Sequence, residues 1–335
     1  MPKTTVLMSS EETLIARVRR ALPSSAAGAL RVGIGDDAAV FRPARGWEWV
    51  ISTDALIEDV HFFTRTHRAD AIGYKALARA TSDLAAMGAE PRFFLLSMAL
   101  PPDRAGRWLD ACLRGMARAA RRFGMTLAGG DTARSQCIAL NLTVLGQVAP
   151  GRAVLRSGAR PGDRIFVSGK LGTGQLGLEI VLRGLSDRAR WRKLLRPHLY
   201  PDPPVALGRW LANQKLASAM MDLSDGLSTD LTRLCKASGV GARICATRLP
   251  MVEVPEPLAR RGIEPLQLAL HGGEDYQLLF AVPARLAGRI PAARDGASIT
   301  RIGEIVRGSG IELRTDDGKS VRVAPRGWDH FARRG

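Results

Sequence analysis

Residues 69–100 read ADAIGYKALARATSDLAAMGAEPRFFLLSMAL and run directly into Pro101 and Pro102. Ala69 to Gly88 has helical spacing with few breakers. Phe93 to Leu100 is an apolar run interrupted at Ser97 and closed by the two prolines. The pairing predicts a helix that turns into a buried strand. The alternation continues outward on both sides. Trp47 to Thr53 (WEWVIST) predicts a strand upstream. Downstream, Asp103 to Phe123 places Leu109, Leu113, Met116 and Ala120 on one helical stripe, and Met125 to Ala128 and Ile138 to Val148 predict two further strands. The first half therefore reads as mixed α+β with antiparallel pairing.

A second unit follows. Gly158 to Asp163 (GARPGD) is a turn-rich hinge before a strand at Arg164 to Ser168. The spacing then predicts helices near 174–184, 203–215 and 226–238, and strands near 242–246, 277–282 and 301–305. With 335 residues, the chain exceeds what one hydrophobic core usually organises, so two domains are expected, at 1–150 and 151–335.

The formal net charge is +17, yet only seven of the 49 basic residues are Lys, and the Arg are scattered. Aromatic residues make up 5%, which leaves little for bases to stack on, so the composition argues against nucleic acid as the main partner and suits a small anionic substrate. No run approaches the ~18 apolar residues of a membrane span. The N-terminal stretch lacks the long apolar segment of a secretion signal, and Ser9 with Glu12 makes a capping box for a first helix. Cys112, Cys137, Cys235 and Cys245 are widely spread with no C-x-x-C pair. A reducing, cytoplasmic location is expected.

The chemistry sits in six acidic loops, each set in Gly, Ser or Thr beside an apolar run. They are Gly35-Asp36-Asp37, Ser52-Thr53-Asp54, Ser82-Asp83, Gly129-Gly130-Asp131-Thr132, Asp222-Leu223-Ser224-Asp225-Gly226 and Gly272-Gly273-Glu274-Asp275. Asp54 is expected to close a strand, Asp131 to sit in a turn and Asp225 to begin a helix. Glycine lets a backbone approach a polyphosphate, and carboxylates hold a hard cation that cancels its charge. Each loop taken alone has a plainer reading: a lone Asp before a helix is usually a cap and a Gly-Asp pair usually a turn. Six together exceed what capping needs. The standard phosphate loop is absent, since Ser168-Gly169-Lys170-Leu171 lacks both the upstream Gly and the hydroxyl. Two carboxylates in Gly33-Ile34-Gly35-Asp36-Asp37-Ala38 would repel a bare pyrophosphate. No G-x-S-x-G is present either.

Taken in order, GIGDDAAV (33–40), STDALIEDVHF (52–62), YKALARATSDLAAMGAEP (74–91), GGDT (129–132), LRSGARPGD (155–163), MDLSDGLSTDL (221–231), ASGVGARI (237–244) and GGEDYQLLF (272–280) closely resemble the thiamine-monophosphate kinases of the aminoimidazole-ribonucleotide-synthetase-like superfamily. The resemblance extends from about residue 10 to GWDHF (327–331). It implies a two-domain α+β fold, with a mixed α+β dimerisation domain first and an α/β domain second. It implies a homodimer and ATP-dependent phosphorylation of thiamine monophosphate, with several Mg²⁺ ions bridging the phosphates. By motif position, Asp37, Ser52, Thr53, Asp54, Asp83, Asp131 and Asp222 correspond to Mg²⁺ ligands, and Asp225 to the ligand of a further ion. Gly130, Asp131, Arg156 and Ser224 correspond to ATP contacts, and His61 and Glu274 to substrate contacts.

The chain departs from the family pattern in places. Ala133 follows Thr132 where a second Thr is common, KLGTGQLG (170–177) lacks a Ser-Ala, and a substrate-stacking aromatic aligns with Pro325, beside Trp328. Competing readings are a purine-pathway or selenophosphate synthetase of the same superfamily, a nucleic-acid-binding protein driven by the +17 charge, or a regulatory homologue without activity. His61, SDLAAMGA and GGEDY favour the kinase.

Overall fold

The computed structural model describes residues 17–23, 30–32, 40–41, 45–185 and 189–328. The Ser9–Glu12 capping box, Asp36, Asp37 and the end of GWDHF lie outside the described residues. The chain forms two compact units, Met1–Leu84 with Glu90–Val148, and Ala85–Ala89 with Ala149–Gly335.

In the first unit, β1 (Leu30–Val32) and β2 (Val40–Phe41) form a small antiparallel pair. The main sheet has four strands, β3 (Glu48–Ile57), β4 (Glu90–Leu100), β5 (Thr126–Arg134) and β6 (Ala139–Val148), in the order β3-β6-β4-β5. Pairing is antiparallel except between β4 and β5, which run parallel, a correction to the expected all-antiparallel arrangement. The parallel step follows from the intervening helix, which carries the chain back to the same end. Two long helices among the described residues, α1 (Ala69–Ala86) and α2 (Arg107–Phe123), pack on this sheet, and residues 17–21 are also helical. Helices α1 and α2 cross with their backbones in contact. A Cβ on Gly73 would fall 1.9 Å from the Cys112 carbonyl oxygen, and one on Gly115 would fall 1.8 Å from that of Asp70. Two reciprocal glycines thus set this crossing.

Alternation divides the sheet's faces. Leu56, Leu140, Leu142, Val144, Phe94, Leu96, Met98 and Leu100 are buried on the face that meets α1. On the other face, the row Ala55–Asn141–Ser97–Asp131 is exposed, and Ile51 is 62% exposed.

The second unit holds an eight-stranded sheet. Its strands are β7 (Arg164–Ser168), β8 (Ala219–Leu223), β9 (Gly241–Cys245), β10 (Gln277–Val282), β11 (Ala293–Arg294), β12 (Ala297–Val306), β13 (Gly310–Arg314) and β14 (Ser320–Val323). The order is β14-β13-β9-β12-β7-β10-β8, with β11 paired to β12. The helices are α3 (Thr173–Leu182), α4 (Arg192–Leu199), α5 (Val205–Asn213), α6 (Leu227–Ser238), α7 (Glu256–Ala259) and α8 (Pro265–His271). Strands β7, β8 and β10 are apolar on both sides because helices cover both faces. Ile165, Val167, Met221 and Leu279 pack with Leu231 and Leu234 of α6. Phe166, Met220, Leu278 and Phe280 pack with Leu207 and Leu211 of α5. Among the described residues, no helix is long and apolar enough to cross a membrane.

Candidate active site

In the first unit the candidate residues lie on β3, α1 and β5. Strand β3 continues to Ile57 because Ala55, Leu56 and Ile57 still pair with Asn141, Leu140 and Ala139. Asp54 therefore lies within the strand rather than at its end. Ser52 and Asp54 share a face with buried Leu56 and meet α1. The Ser52 hydroxyl donates to Asp83 Oδ2. Arg79 clamps Asp54 with two bonds, Nε to Oδ2 at 2.5 Å and Nη2 to Oδ1 at 2.9 Å. Burial pushes the Asp54 carboxyl above its ordinary value; Arg79 pulls it down, and nearby Asp83 pushes it up. Arg79 and Asp83 are four residues apart on α1 and so share a face.

Thr53 projects to the opposite face, where its hydroxyl lies 3.1 Å from Asn141 Oδ1 and 3.2 Å from Thr143 Oγ1. Asp131 lies inside β5 rather than in a turn, and its Oδ1 accepts the Thr132 amide at 2.8 Å. Gly130 precedes it because a Cβ there would sit 1.9 Å from the Leu96 carbonyl oxygen of β4. Since β3 and β5 are the two edges of the sheet, Asp54 and Asp131 stand three strand spacings apart, about 14 Å, and on opposite faces.

His61 follows β3. Its Nδ1 accepts the Ile57 amide at 3.0 Å, which leaves Nε2 to carry the proton of the neutral ring. Glu58 fixes this turn, accepting from Thr64 Oγ1 at 2.7 Å and from the Ile138 amide at 3.0 Å.

In the second unit, loops from four parts of the sequence meet backbone to backbone. Asp222 is buried in β8, and the DLSDG turn leads from it into α6. Neither Asp222 nor Asp225 caps that helix. The capping is done from inside it by Asp230, whose Oδ2 accepts the amides of Ser224, Asp225 and Gly226 at 3.0–3.1 Å. Burial, then the charge of Asp225, pushes Asp230 up to about 7. Arg233 Nη1 reaches Asp225 Oδ2 at 2.5 Å and Asp230 Oδ1 at 2.9 Å.

The GGEDY loop stacks on this turn: the Glu274 amide donates to the Ser224 oxygen and the Tyr276 amide to the Leu223 oxygen, both at 2.8 Å. Asp275 turns inward and ties in the glycine-rich loop 170–174, accepting the Gly172 amide at 2.6 Å, the Gly174 amide at 2.9 Å and Thr173 Oγ1 at 2.9 Å. Burial pushes this carboxyl up to about 6 despite those donors. The fourth segment is Arg326 to Trp328, whose Trp328 amide donates to the Asp225 oxygen at 3.2 Å.

Arg156 is exposed, next to Leu155, whose carbonyl accepts the Met220 amide on the outer edge of β8 at 2.9 Å. The second unit thus gathers Asp222, Ser224, Asp225 and Glu274, with the segment of Arg156 along the same edge strand.

Sequence reasoning passed over Arg79, His198, Asp230, His271 and Asp275. His198 Nδ1 lies 3.0 Å from Oε2 of Glu274, and His271 ends helix α8 with Nδ1 2.9 Å from Ser228 Oγ. Arg79 was legible as the residue one turn before Asp83, and Asp230 and Asp275 lie inside quoted motifs. His198 carries no local signal.

The donor set of Ser52, Asp54 and Asp83 is all oxygen, and Arg79 already places a positive charge on it. That chemistry fits a hard divalent cation. Among the described residues, no three His, Cys, Asp or Glu side chains gather closely enough to hold an ion by themselves.

Residues 35–148 match the family model of the AIR synthase related protein N-terminal domain, and residues 160–316 match that of the C-terminal domain. The chain is 38% identical over 329 residues to the thiamine-monophosphate kinase of Escherichia coli (strain K12), covering 96% of this chain and 98% of that protein. The crystal structure of thiamine-monophosphate kinase from Stenotrophomonas maltophilia K279a matches with a TM-score of 0.77 at 33% identity, covering 95% of this chain and 98% of that one. A structure of AaThiL complexed with AMPPCP and TMP matches with a TM-score of 0.76 at 33% identity, covering 96% and 97%.

Proposed function

The chain belongs to the AIR synthase related family and, within it, to the thiamine-monophosphate kinases; from that membership we propose how its own residues move the γ-phosphoryl group of ATP onto thiamine monophosphate, giving thiamine diphosphate and ADP. The observation that carries this reading is the AaThiL complex, in which an ATP analogue and TMP are bound together. Simultaneous binding is what direct transfer requires.

In this reading Ser52, Thr53, Asp54, Asp83, Asp131 and Asp222, with Asp37, hold Mg²⁺, and Asp225 holds a further ion. Bound Mg²⁺ neutralises phosphate charge and so lowers the repulsion between donor and acceptor. Gly130, Asp131, Arg156 and Ser224 contact ATP. His61 and Glu274 contact thiamine monophosphate. The acceptor oxygen is itself an adequate nucleophile once aligned, so the protein positions and screens charge without forming a phosphoenzyme. The backbone turn at Ser224, fixed from beneath by Asp230, keeps a phosphate contact at a constant height.

The separation of Asp54 and Asp131 supports a homodimer. One sheet holds these acids on opposite edges and faces, so a site that uses both draws on Asp54 of one protomer and the partner's Asp131. The face carrying exposed Ile51, Ala55 and Ser97 is the surface available for such pairing. Light scattering should give twice the chain mass across micromolar concentrations; a single-chain mass would contradict the dimer. The cysteines, two of them buried and all free, suit a cytoplasmic location.

Asp54→Asn and Asp83→Asn test the metal assignment. Each should lower turnover by two orders of magnitude or more while circular dichroism stays native. Near-native turnover in both would remove the assignment.

A further inference from the structure

The sheet of the second unit is covered unevenly. On one face Ala242, Ile244, Ile302, Ile305, Ile311 and Leu313 are buried with α6. On the other face α5 packs on Phe166 of β7, Met220 of β8 and Phe280 of β10. Beyond β7 that second face carries charge instead. Arg164 of β7 stands opposite Glu304 of β12, Glu304 opposite Arg243 of β9, and Arg243 opposite Glu312 of β13. Residues directly opposite one another share a face, so these four make one row. Arg164 and Arg243 both pair with Glu304, and Arg243 Nε also reaches Glu312 Oε2 at 3.0 Å. Both carboxylates are thereby engaged.

The next row has no acid. Arg301 stands opposite Phe166, two residues along β7 from Arg164, and Arg314 stands between Cys245 and Ser320. An irregularity between Arg301 and Gly303 keeps Arg301 on the face of Glu304, three residues away, while Ile302 and Ile305 both turn into the core. Arg248, in the 3₁₀ turn Ala246–Arg248 after β9, adds a further guanidinium, and both Arg248 and Arg301 are exposed. Partial burial, and then the charges of Arg164 and Arg248, push Arg301 below its ordinary value. Its counter-charge, Glu304, is shared with Arg164 and Arg243. An arginine stays protonated at any physiological pH, so this repulsion is not relieved by loss of a proton. A bound anion relieves it.

We propose that Arg164, Arg248 and Arg301 hold a small phosphate-bearing anion on this open face. The site is separate from the transfer chemistry, because β12, which carries Arg301, lies three strand spacings, about 14 Å, from β8, which carries Asp222. Planar guanidinium forks match phosphate oxygens two at a time, and several forks call for a ligand with several oxygens. A nucleic acid fits less well: the aromatic ring in these two rows, Phe166, is buried, so bases have nothing to stack on.

The test is calorimetric titration with inorganic pyrophosphate at pH 8 and low ionic strength, with a chelator and no divalent cation. Under those conditions the acids of the transfer site repel a pyrophosphate, and the heat reports the arginine face. Loss of a hydrogen bond to a charged group corresponds to about tenfold or more in binding. Wild type should bind one pyrophosphate per chain. Arg301→Gln should weaken that at least tenfold, Arg301→Lys should recover part of the loss, and Arg248→Gln combined with Arg301→Gln should abolish binding. Turnover of the double variant with Mg²⁺, ATP and thiamine monophosphate should stay within about twofold of wild type.

A wild type that binds pyrophosphate no better than chloride at equal ionic strength would overturn the proposal. So would an unchanged affinity in the double variant, or a loss of turnover in step with the loss of pyrophosphate, which would put the anion in the transfer site. A duplex oligonucleotide that binds wild type more tightly than pyrophosphate, and is released in the double variant, would replace the small anion with an extended polyanion. Should the double variant not fold, the single variants decide, and equal affinities in Arg301→Gln, Arg301→Lys and wild type would overturn the proposal.

Discussion

Replacing Arg79 with Met should destabilise the metal-free protein and tighten its hold on a divalent cation. The guanidinium grips both oxygens of Asp54, at 2.5 and 2.9 Å, and the two side chains are only 14% and 24% exposed. At an effective dielectric of 20, unit charges 4 Å apart interact by ~4 kcal/mol, and desolvation takes back part of that. Breaking one side of a fully buried pair costs about 3–5 kcal/mol. This pair keeps some solvent, so ~2 kcal/mol is the expected loss. Asp54 is then left beside Asp83 with no counter-charge. The sign for a cation is opposite, because the arginine competes for the same oxygens. Removing a ~2 kcal/mol competitor tightens cation binding by about 30-fold.

The assay is thermal unfolding without divalent ions, paired with Mn²⁺ titration followed by electron paramagnetic resonance. Arg79→Met should melt several degrees lower when metal-free and bind Mn²⁺ more tightly. The pH dependence has a definite sign. Asp54 is raised in the fold, so the stability it contributes is present below its ordinary value and is lost as pH rises through its higher folded value. Arg79 reduces that loss, so wild type and variant should converge in acid, where Asp54 is protonated. An unchanged melting temperature together with weaker Mn²⁺ binding would refute the reasoning.

Two further perturbations probe the frame around the site. Gly130→Ala puts a methyl group 1.9 Å from the Leu96 oxygen, so β5 must leave β4; the urea midpoint should fall by the equivalent of at least ~3 kcal/mol, and a native midpoint would show that the strands separate freely. Asp275, pushed up to about 6, contributes stability that is present below about pH 4 and lost as pH rises through 6, at most about 3 kcal/mol. Asp275→Asn should therefore flatten the wild-type change in urea midpoint across that interval, and an identical pH slope in both proteins would contradict it.

The helices and strands of the first unit were legible because their apolar periodicities are unbroken, as in Ala69–Ala86 and Glu90–Leu100. Strand ends were read less well. Gly129, Gly130 and Asp131 are poor strand formers, yet they extend β5 because the parallel ladder to β4 supplies their hydrogen bonds. Helix α4 escaped notice because it is short, strongly charged and carries Pro197. The acidic loops stood out because six of them share one composition. What a linear reading cannot supply is contact across the chain. His198 and Glu274 lie 76 positions apart, and the anchoring of Ser224 by Asp230 depends on a turn geometry that composition does not reveal. A lone Asp before a helix usually caps it, but at the start of α6 the amides of the turn go to Asp230, inside the helix.

The most direct test is to incubate the purified chain with Mg²⁺ and ATP, with and without thiamine monophosphate, and to follow the phosphorus resonances. A diphosphate pair belonging to thiamine diphosphate should grow in step with ADP, and only when thiamine monophosphate is present. Release of ADP without that acceptor, or ³²P retained on acid-quenched protein, would contradict direct transfer by this chain.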